Sequence, residues 1–294
     1  MSTISIVGAG RLGVALALAL DKVGFDIDLL IYRTSEPSAE CFSRCRTRPV
    51  IKAITDLSEI CTDIIFITTQ DAGIATAAKQ LARLITGSPT VFVTSGAISS
   101  SYIGELRAKD CRIGSLHPLV SISDPILGSE RFSGAYFCVE GDPGAISQAE
   151  SIVKALGGHS FSIDPDKKAL YHASAVMASG DLLALIDMAV GILEKCGLDR
   201  NKASVVLLPL IKSTVQNFAE HGIEGSLTGP FARGDSATFE RHVKALKENS
   251  TDEELETYLA LGERSLEIAM RTSANSQHLV ELAEKVSMAK KDLR

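Results

Sequence analysis

The sequence predicts an α/β domain built on a mostly parallel, doubly wound sheet, followed by an all-α domain. In residues 1–164, short β-branched runs (ISIVG, DIDLLIY, DIIFITT, PTVFVTS, RIGSLH, AYFCVEG) alternate with helical patterns, which is how βαβ units read. In residues 165–294 the strand runs cease and only helical patterns follow. Between the first strand and the first helix stand three glycines, Gly8, Gly10 and Gly13.

Composition narrows the function classes. A chain of 294 residues supplies core for two domains. Its 45% hydrophobic and 22% charged residues fit a globular protein. A net charge of -6 and an aromatic content of 5% without tryptophan offer neither a basic face nor stacking platforms, so no nucleic-acid partner is expected. The cysteines (Cys41, Cys45, Cys61, Cys111, Cys138, Cys196) form no CxxC pair and no zinc spacing with histidine, so reduced thiols and no metal are expected. The start carries no basic stretch leading into a signal-type core, and the apolar segment 169–191 contains His172, Ser174, Ser179, Asp181 and Asp187. A cytoplasmic protein without a membrane span is expected.

ISIVG reads as the first strand, and Gly8-Ala9-Gly10-Arg11-Leu12-Gly13 follows it at the mouth of a helix, where a GxGxxG pattern has physical meaning. Gly8 allows the tight turn, Gly10 lets a pyrophosphate approach the backbone, and Gly13 lets the helix lie close to the sheet. The phosphate then meets free N–H groups of Arg11, Leu12 and Gly13 at the positive end of the helix. The second strand, DIDLLIY, ends in Arg33-Thr34-Ser35 and not in the acidic residue that takes ribose hydroxyls in NAD-binding units. Arg33 can grip a 2′-phosphate, with the Thr34 and Ser35 hydroxyls completing the cradle, so NADP(H) is the expected cofactor. Arg44, Arg46 and Arg48 add positive potential nearby, or serve only as an exposed loop.

The end of DIIFITT (Thr68, Thr69, Gln70, Asp71) and the end of PTVFVTS (Ser95, Gly96) fall at the carboxyl edge of the sheet, on the nicotinamide side. Turn and cap chemistry would explain them as well, and for Ser95 contact with cofactor or substrate stands beside that reading. RIGSLH ends at His117-Pro118, facing the same crevice.

Asp164-Pro165-Asp166 starts the helical half, and 167–196 reads as one long apolar helix stopped by Gly197, buried on every side either against a second subunit, which makes the burial easier, or by its own neighbours in the domain. Helices follow at 201–221, 236–248, 252–272 and 275–291, the third opening with the capping box Thr251 to Glu254. His172 lies early on the long helix, and Ser179, seven residues on, falls within about 20° of the same face. A carbonyl or imine reductase needs a proton donor, for which His117 and His172 are the candidates, with Ser179 beside them. A buried histidine bonded to a carbonyl is the plainer account of either. In LTGPFARGD, Arg233 is placed to meet a carboxylate or phosphate, or is simply solvated, while Asp235 caps the next helix.

Taken together, GAGRLG, TSGA at 94–97, SLHP at 115–118, YHASAVMAS at 171–179, LLPL at 207–210 and LTGPFARGD resemble a family of Rossmann-plus-helical proteins of unassigned activity, often described as NADP or deazaflavin-type oxidoreductases. The likeness covers nearly the whole chain and falls within the wider 6-phosphogluconate dehydrogenase-like superfamily, with pyrroline-5-carboxylate reductase, prephenate dehydrogenase and the 3-hydroxyacid dehydrogenases. It implies an α/β Rossmann domain (1–164), a helical substrate and dimerisation domain (165–294), and a homodimer whose helical domains help to form the active sites. Family members carry Ser-Asn where this chain has Ser179-Gly180. The 3-hydroxyacid enzymes place a lysine and an asparagine on the corresponding helix, and no lysine falls between Lys168 and Lys195 here, which argues against lysine-assisted alcohol oxidation. His117-Pro118 is similar to the strand-end His-Pro of prephenate dehydrogenases, whose helix histidine is replaced by Gly180. The expected activity is NADP(H)-dependent hydride transfer to or from a small carbonyl, imine or alcohol in the interdomain cleft. The alternatives are a non-catalytic NADP(H) sensor or scaffold and, among enzymes, a deazaflavin-NADP reductase.

Overall fold

A computed structural model of the chain describes residues 2–33, 35–43, 45–272 and 276–293. The chain divides into two compact units, Met1–Gly180 and Asp181–Arg294. The change of pattern at 164 marks the end of the last strand, whereas the division by packing falls later, because the first turns of the next helix lie on the sheet.

The first unit contains β1 (Thr3–Val7), β2 (Asp26–Tyr32), β3 (Val50–Ala53), β4 (Ile64–Ile67), β5 (Thr90–Val93), β6 (Arg112–Pro118), β7 (Tyr136–Gly141) and β8 (His159–Phe161). They form one eight-stranded sheet in the order β3-β2-β1-β4-β5-β6-β7-β8. Every neighbouring pair is parallel except β6 with β7. The predicted mostly parallel, doubly wound sheet is therefore present, with β3 and β8 as additional edge strands whose short, partly exposed sequences give no strong periodic signal. The chain leaves β1 toward β2 on one side and returns to β4 on the other, which opens the ligand crevice beyond the carboxyl ends of β1 and β4.

The helices of this unit are α1 (Arg11–Lys22), α2 (Asp71–Leu84), α3 (Pro125–Ser129), α4 (Pro143–Ala155) and α5 (Lys168–Ala178). IIFI of β4 and TVFV of β5 are buried on both faces, as a central parallel strand covered by helices must be. One face packs α1 and α4 through Val14, Leu20 and Ile152; the other takes Ile74, Ala77, Ala78 and Leu81 of α2, an i, i+3, i+4, i+7 stripe.

The second unit holds the rest of α6 (Gly180–Glu194), then α7 (Arg200–Ser226), α8 (Pro230–Arg233), α9 (Ser236–Asn249), α10 (Asp252–Thr272) and α11 (Gln277–Lys291). Its core is Phe239, Leu255, Leu259, Leu266, Leu279, Leu282 and Val286, contributed by α9, α10 and α11. Asp235 caps α9 by accepting from the Thr238 amide at 3.0 Å. The capping box also forms, with Thr251 N donating to Glu254 at 2.7 Å and Glu254 N donating to Thr251 Oγ1 at 3.2 Å.

The long helix departs from expectation in two ways. It breaks at Ser179, where φ and ψ of -128° and -75° leave the helical region. Nor is it buried: Leu170, Met177 and Leu183 are 72%, 69% and 68% exposed. The core of the second unit closes around α9, α10 and α11, so α6 buries only Val190 and α7 only Ala203. By length and composition Pro165–Glu194 is apolar enough to cross a membrane. Its first half, however, carries polar side chains that bond to the sheet.

Candidate active site

The glycine turn lies at the carboxyl end of β1. Gly8 has φ of +118°, and a Cβ there would sit 2.8 Å from the Thr68 and Thr69 backbone. A Cβ on Gly13 would collide with the Gly8 carbonyl and lie 2.6 Å from Thr68 Oγ1, while Gly10 has nothing within 4 Å. Thr68 locks the turn by donating to the Gly8 carbonyl at 2.6 Å. The first intrahelical bond of α1 runs from Val14 N to Gly10 O, which leaves the amides of Arg11, Leu12 and Gly13 outside the helical ladder. An open concavity over Gly10, rimmed by free N–H groups, is what a pyrophosphate requires.

Beside the turn, Val7, Gly8, Tyr32, Arg33, Thr69, Gly73, Thr76 and Gln80 line a narrow cleft of about 40 Å³. Arg33, one residue past β2, is exposed at its mouth, and Ser35 is exposed after it. Thr34 and Arg44 lie outside the described residues. Arg46 does not join the predicted positive potential: it donates to the Phe25 carbonyl at 2.9 Å and to Asp26 at 2.7 Å, at the opposite end of β2. Thr69 Oγ1 is buried in this cleft without a hydrogen-bond partner among the described residues, whereas Gln70 is exposed at the N-cap of α2. A buried hydroxyl lacking a partner is costly, and a ribose or phosphate oxygen would satisfy it. The residues present thus fit a dinucleotide.

Ser95 accepts from the amides of Ala97 at 3.1 Å and Ile98 at 2.9 Å, so its oxygen does the turn chemistry that stood as the second reading. Next to it, a Cβ on Gly96 would collide with His172 Nδ1 and lie 2.8 Å from His117 Nε2. Only glycine lets the two imidazoles approach this strand end together. His117 ends β6, and its Nδ1 is 2.7 Å from Tyr171 Oη on α5. The His117 ring stands edge-on to both Tyr171 and His172, with centroids 5.5 Å and 5.7 Å away. His172 Nδ1 is buried without a hydrogen-bond partner among the described residues.

A buried ionic network adjoins the imidazoles. Lys168, 1% exposed, donates to Ser115 Oγ and lies 3.6 Å from Glu140, which is 4% exposed. The Ser100 amide and hydroxyl both donate to Glu140 at 2.8 Å. Burial, the Lys168 ammonium and His172 together push His117 down to about 4, so its imidazole is neutral at physiological pH. Burial also raises the Tyr171 phenol, keeping it protonated.

The depressed value has a consequence for stability. Between the ordinary value of 6.5 and about 4, the unfolded chain takes a proton that folded His117 refuses. The contribution is complete above the upper value and is lost as pH falls through the window, about 3 kcal/mol in all. Denaturant unfolding at several pH values should show this loss in the wild type and a flatter profile in His117→Gln. Parallel profiles would refute it.

His117, Tyr171 and His172 open onto a cleft of about 540 Å³, walled by apolar Leu119, Val120 and Val176 and by Ser179. His172 and Ser179 both line this cleft. Ser179 Oγ donates to the Ala175 carbonyl at 2.7 Å, which leaves its lone pairs but not its proton for a ligand. Arg233 is in the second unit, exposed at the end of α8. Gly96 falls at the strand end where the sequence places it, whereas Tyr171, Lys168 and Glu140 do not stand out as site residues in the sequence. The available signals were a carboxylate inside the apolar strand YFCVEG and a lysine in the first turn of an apolar helix, each of which needs a buried partner.

Residues 135–265 match the model of a domain of unknown function, DUF2520. No curated protein matches the chain. Among solved structures, a Bacteroides fragilis protein provisionally described as an NADP oxidoreductase is similar with a TM-score of 0.71 and 21% identity, covering 90% of this chain and 97% of that one. A Thermotoga maritima protein gives 0.69 and 24%, covering 92% and 99%. A Plasmodium falciparum pyrroline carboxylate reductase with NADP bound gives 0.59 and 12%, covering 98% of each chain. These matches show the fold that the sequence predicts.

Proposed function

We propose that the protein is an NADP(H)-dependent oxidoreductase acting on a small carbonyl, imine or alcohol held in the cleft beside His117. The observation that carries this reading is the convergence, at one edge of the sheet, of an open glycine turn and a neutral His117–Tyr171 pair. The Arg11, Leu12 and Gly13 amides would hold the pyrophosphate, Arg33 the 2′-phosphate, and Thr69 a sugar or phosphate oxygen. When bound, NADP(H) supplies or accepts the hydride.

The chain itself handles the proton. A neutral imidazole has one donor and one acceptor nitrogen. In one tautomer His117 Nδ1–H donates to Tyr171 Oη, freeing the phenol proton for a substrate oxygen or nitrogen in the cleft. In the other, Nδ1 accepts the hydrogen bond of the phenol, and as an alcohol proton reaches Tyr171 the phenol proton passes to Nδ1 while Nε2 releases its own toward His172, so the imidazole ends neutral; reduction runs the same transfers backwards. The pair therefore serves reduction and oxidation alike. His172 stands next in line, beside His117 Nε2 over Gly96.

Titration with NADPH and NADH tests the cofactor assignment. NADPH should bind at least about tenfold tighter, near 1.4 kcal/mol, and Arg33→Ala should erase the gap. Binding of neither nucleotide would refute the assignment together with every role built on it.

The proposal includes a homodimer through the helical region, supported by exposed apolar side chains such as Val205 at 69% and Leu210 at 63% on α7. Sedimentation should give twice the 31.3 kDa chain mass, and a monomer would refute it. Arg233 enters as a candidate for substrate binding.

A further inference from the structure

We propose that the buried Lys168–Glu140 pair is the positioning element of the proton-transfer site, fixing Tyr171 against His117 and placing the Lys168 ammonium near the imidazole. The inference rests on the functional reading above and goes beyond it by giving this pair a role.

The geometry is a two-rung ladder. Ser115 and His117 are two residues apart on β6 and point to one face of the sheet. In the β6–β7 register Ser115 is opposite Glu140 and His117 is opposite Cys138. On α5, Lys168 and Tyr171 are three residues apart and share a helix face. The helix therefore sets Lys168 on the Ser115–Glu140 rung and Tyr171 on the His117 rung, and both contacts form. Losing the first rung would free the helix turn that holds the second.

An ion pair this deeply buried is a poor device for stability alone, because desolvation offsets the attraction and an apolar pair would serve as well. Its placement beside the imidazole is the better account. The groups facing His117 are Lys168, Tyr171 and His172 from α5, and Cys138 and Glu140 from β7; Asp71, at the start of α2, acts on Lys168. Of the two charges it is the ammonium that acts on His117, while the Ser100 amide and hydroxyl hold the Glu140 carboxylate in place. Held neutral, His117 can pass a proton in either direction and does not trap one.

The test is a titration of the His117 ring by NMR in the cofactor-free protein. The wild-type ring should stay neutral down to about pH 4. K168M/E140Q, which removes both charges, should raise its midpoint by about one pH unit. S115A, which removes a hydrogen bond and keeps the charge, should leave the midpoint within a few tenths of the wild type. If K168M/E140Q does not fold, K168Q, which still offers Ser115 a partner, serves in its place. An unchanged midpoint on loss of the charge overturns the proposal, and so does an S115A shift as large as that of the charge variant. Neither nucleotide nor substrate is present, so this failure is distinct from a failure to bind NADPH.

Discussion

Gly13→Ala is expected to destabilise the protein by about 3 kcal/mol and to abolish nucleotide binding, whereas Gly10→Ala should leave the fold intact and weaken binding alone. Two effects oppose each other at Gly13. Alanine in a helix is favoured over glycine by about 1 kcal/mol. Against this, the new methyl would enter the Gly8 carbonyl and come within 2.6 Å of Thr68 Oγ1, and neither can yield, because Thr68 bonds that same carbonyl. Overpacking against backbone wins. At Gly10 the φ of -79° and ψ of -173° suit any residue, and the added methyl meets no protein atom. It fills the space over the helix end where phosphate oxygens must come, so NADPH affinity should fall at least about tenfold. Denaturant midpoints and fluorescence titrations of the two variants separate the effects. A stable Gly13→Ala protein, or a Gly10→Ala protein that binds normally, would contradict this account of the turn.

What the sequence disclosed follows from how local each signal is. The turn, the strands β1, β2 and β4 to β7, and the caps at Asp235 and Thr251 depend on neighbours within a few residues, and these read directly. β3 and β8 owe their existence to an edge already present, so their own residues say little. The long apolar helix misleads because composition reports a wish to be buried and not what covers it. His117 and His172 were readable as candidates from a strand end and a helix face. Tyr171, Lys168 and Glu140 were not, because their roles arise from one β6–β7 register meeting one turn of α5, a coincidence of three segments. Arg46 shows the converse: near Arg33 in sequence, it is held by Asp26 at the wrong end of the strand.

His117→Gln and Tyr171→Phe should each lower turnover about 10²- to 10⁴-fold on whichever carbonyl, imine or alcohol a substrate panel yields, with NADPH affinity within about twofold of the wild type. Tyr171→Phe removes one oxygen and keeps the ring that packs edge-on against His117 and Phe161, so the loss reports the phenol proton and not packing. His117→Gln keeps a hydrogen-bonding group but lacks the second ring nitrogen through which a neutral imidazole passes a proton on. His172→Gln should cost less, since His172 contacts the pair through His117 and not through Tyr171. The decisive comparison is the double variant. Two groups joined by a 2.7 Å hydrogen bond in a single relay fail together, so His117→Gln/Tyr171→Phe should be about as slow as the slower single variant. Losses that multiply would mean that phenol and imidazole act on the substrate separately, and the relay through Nδ1 would have to be abandoned.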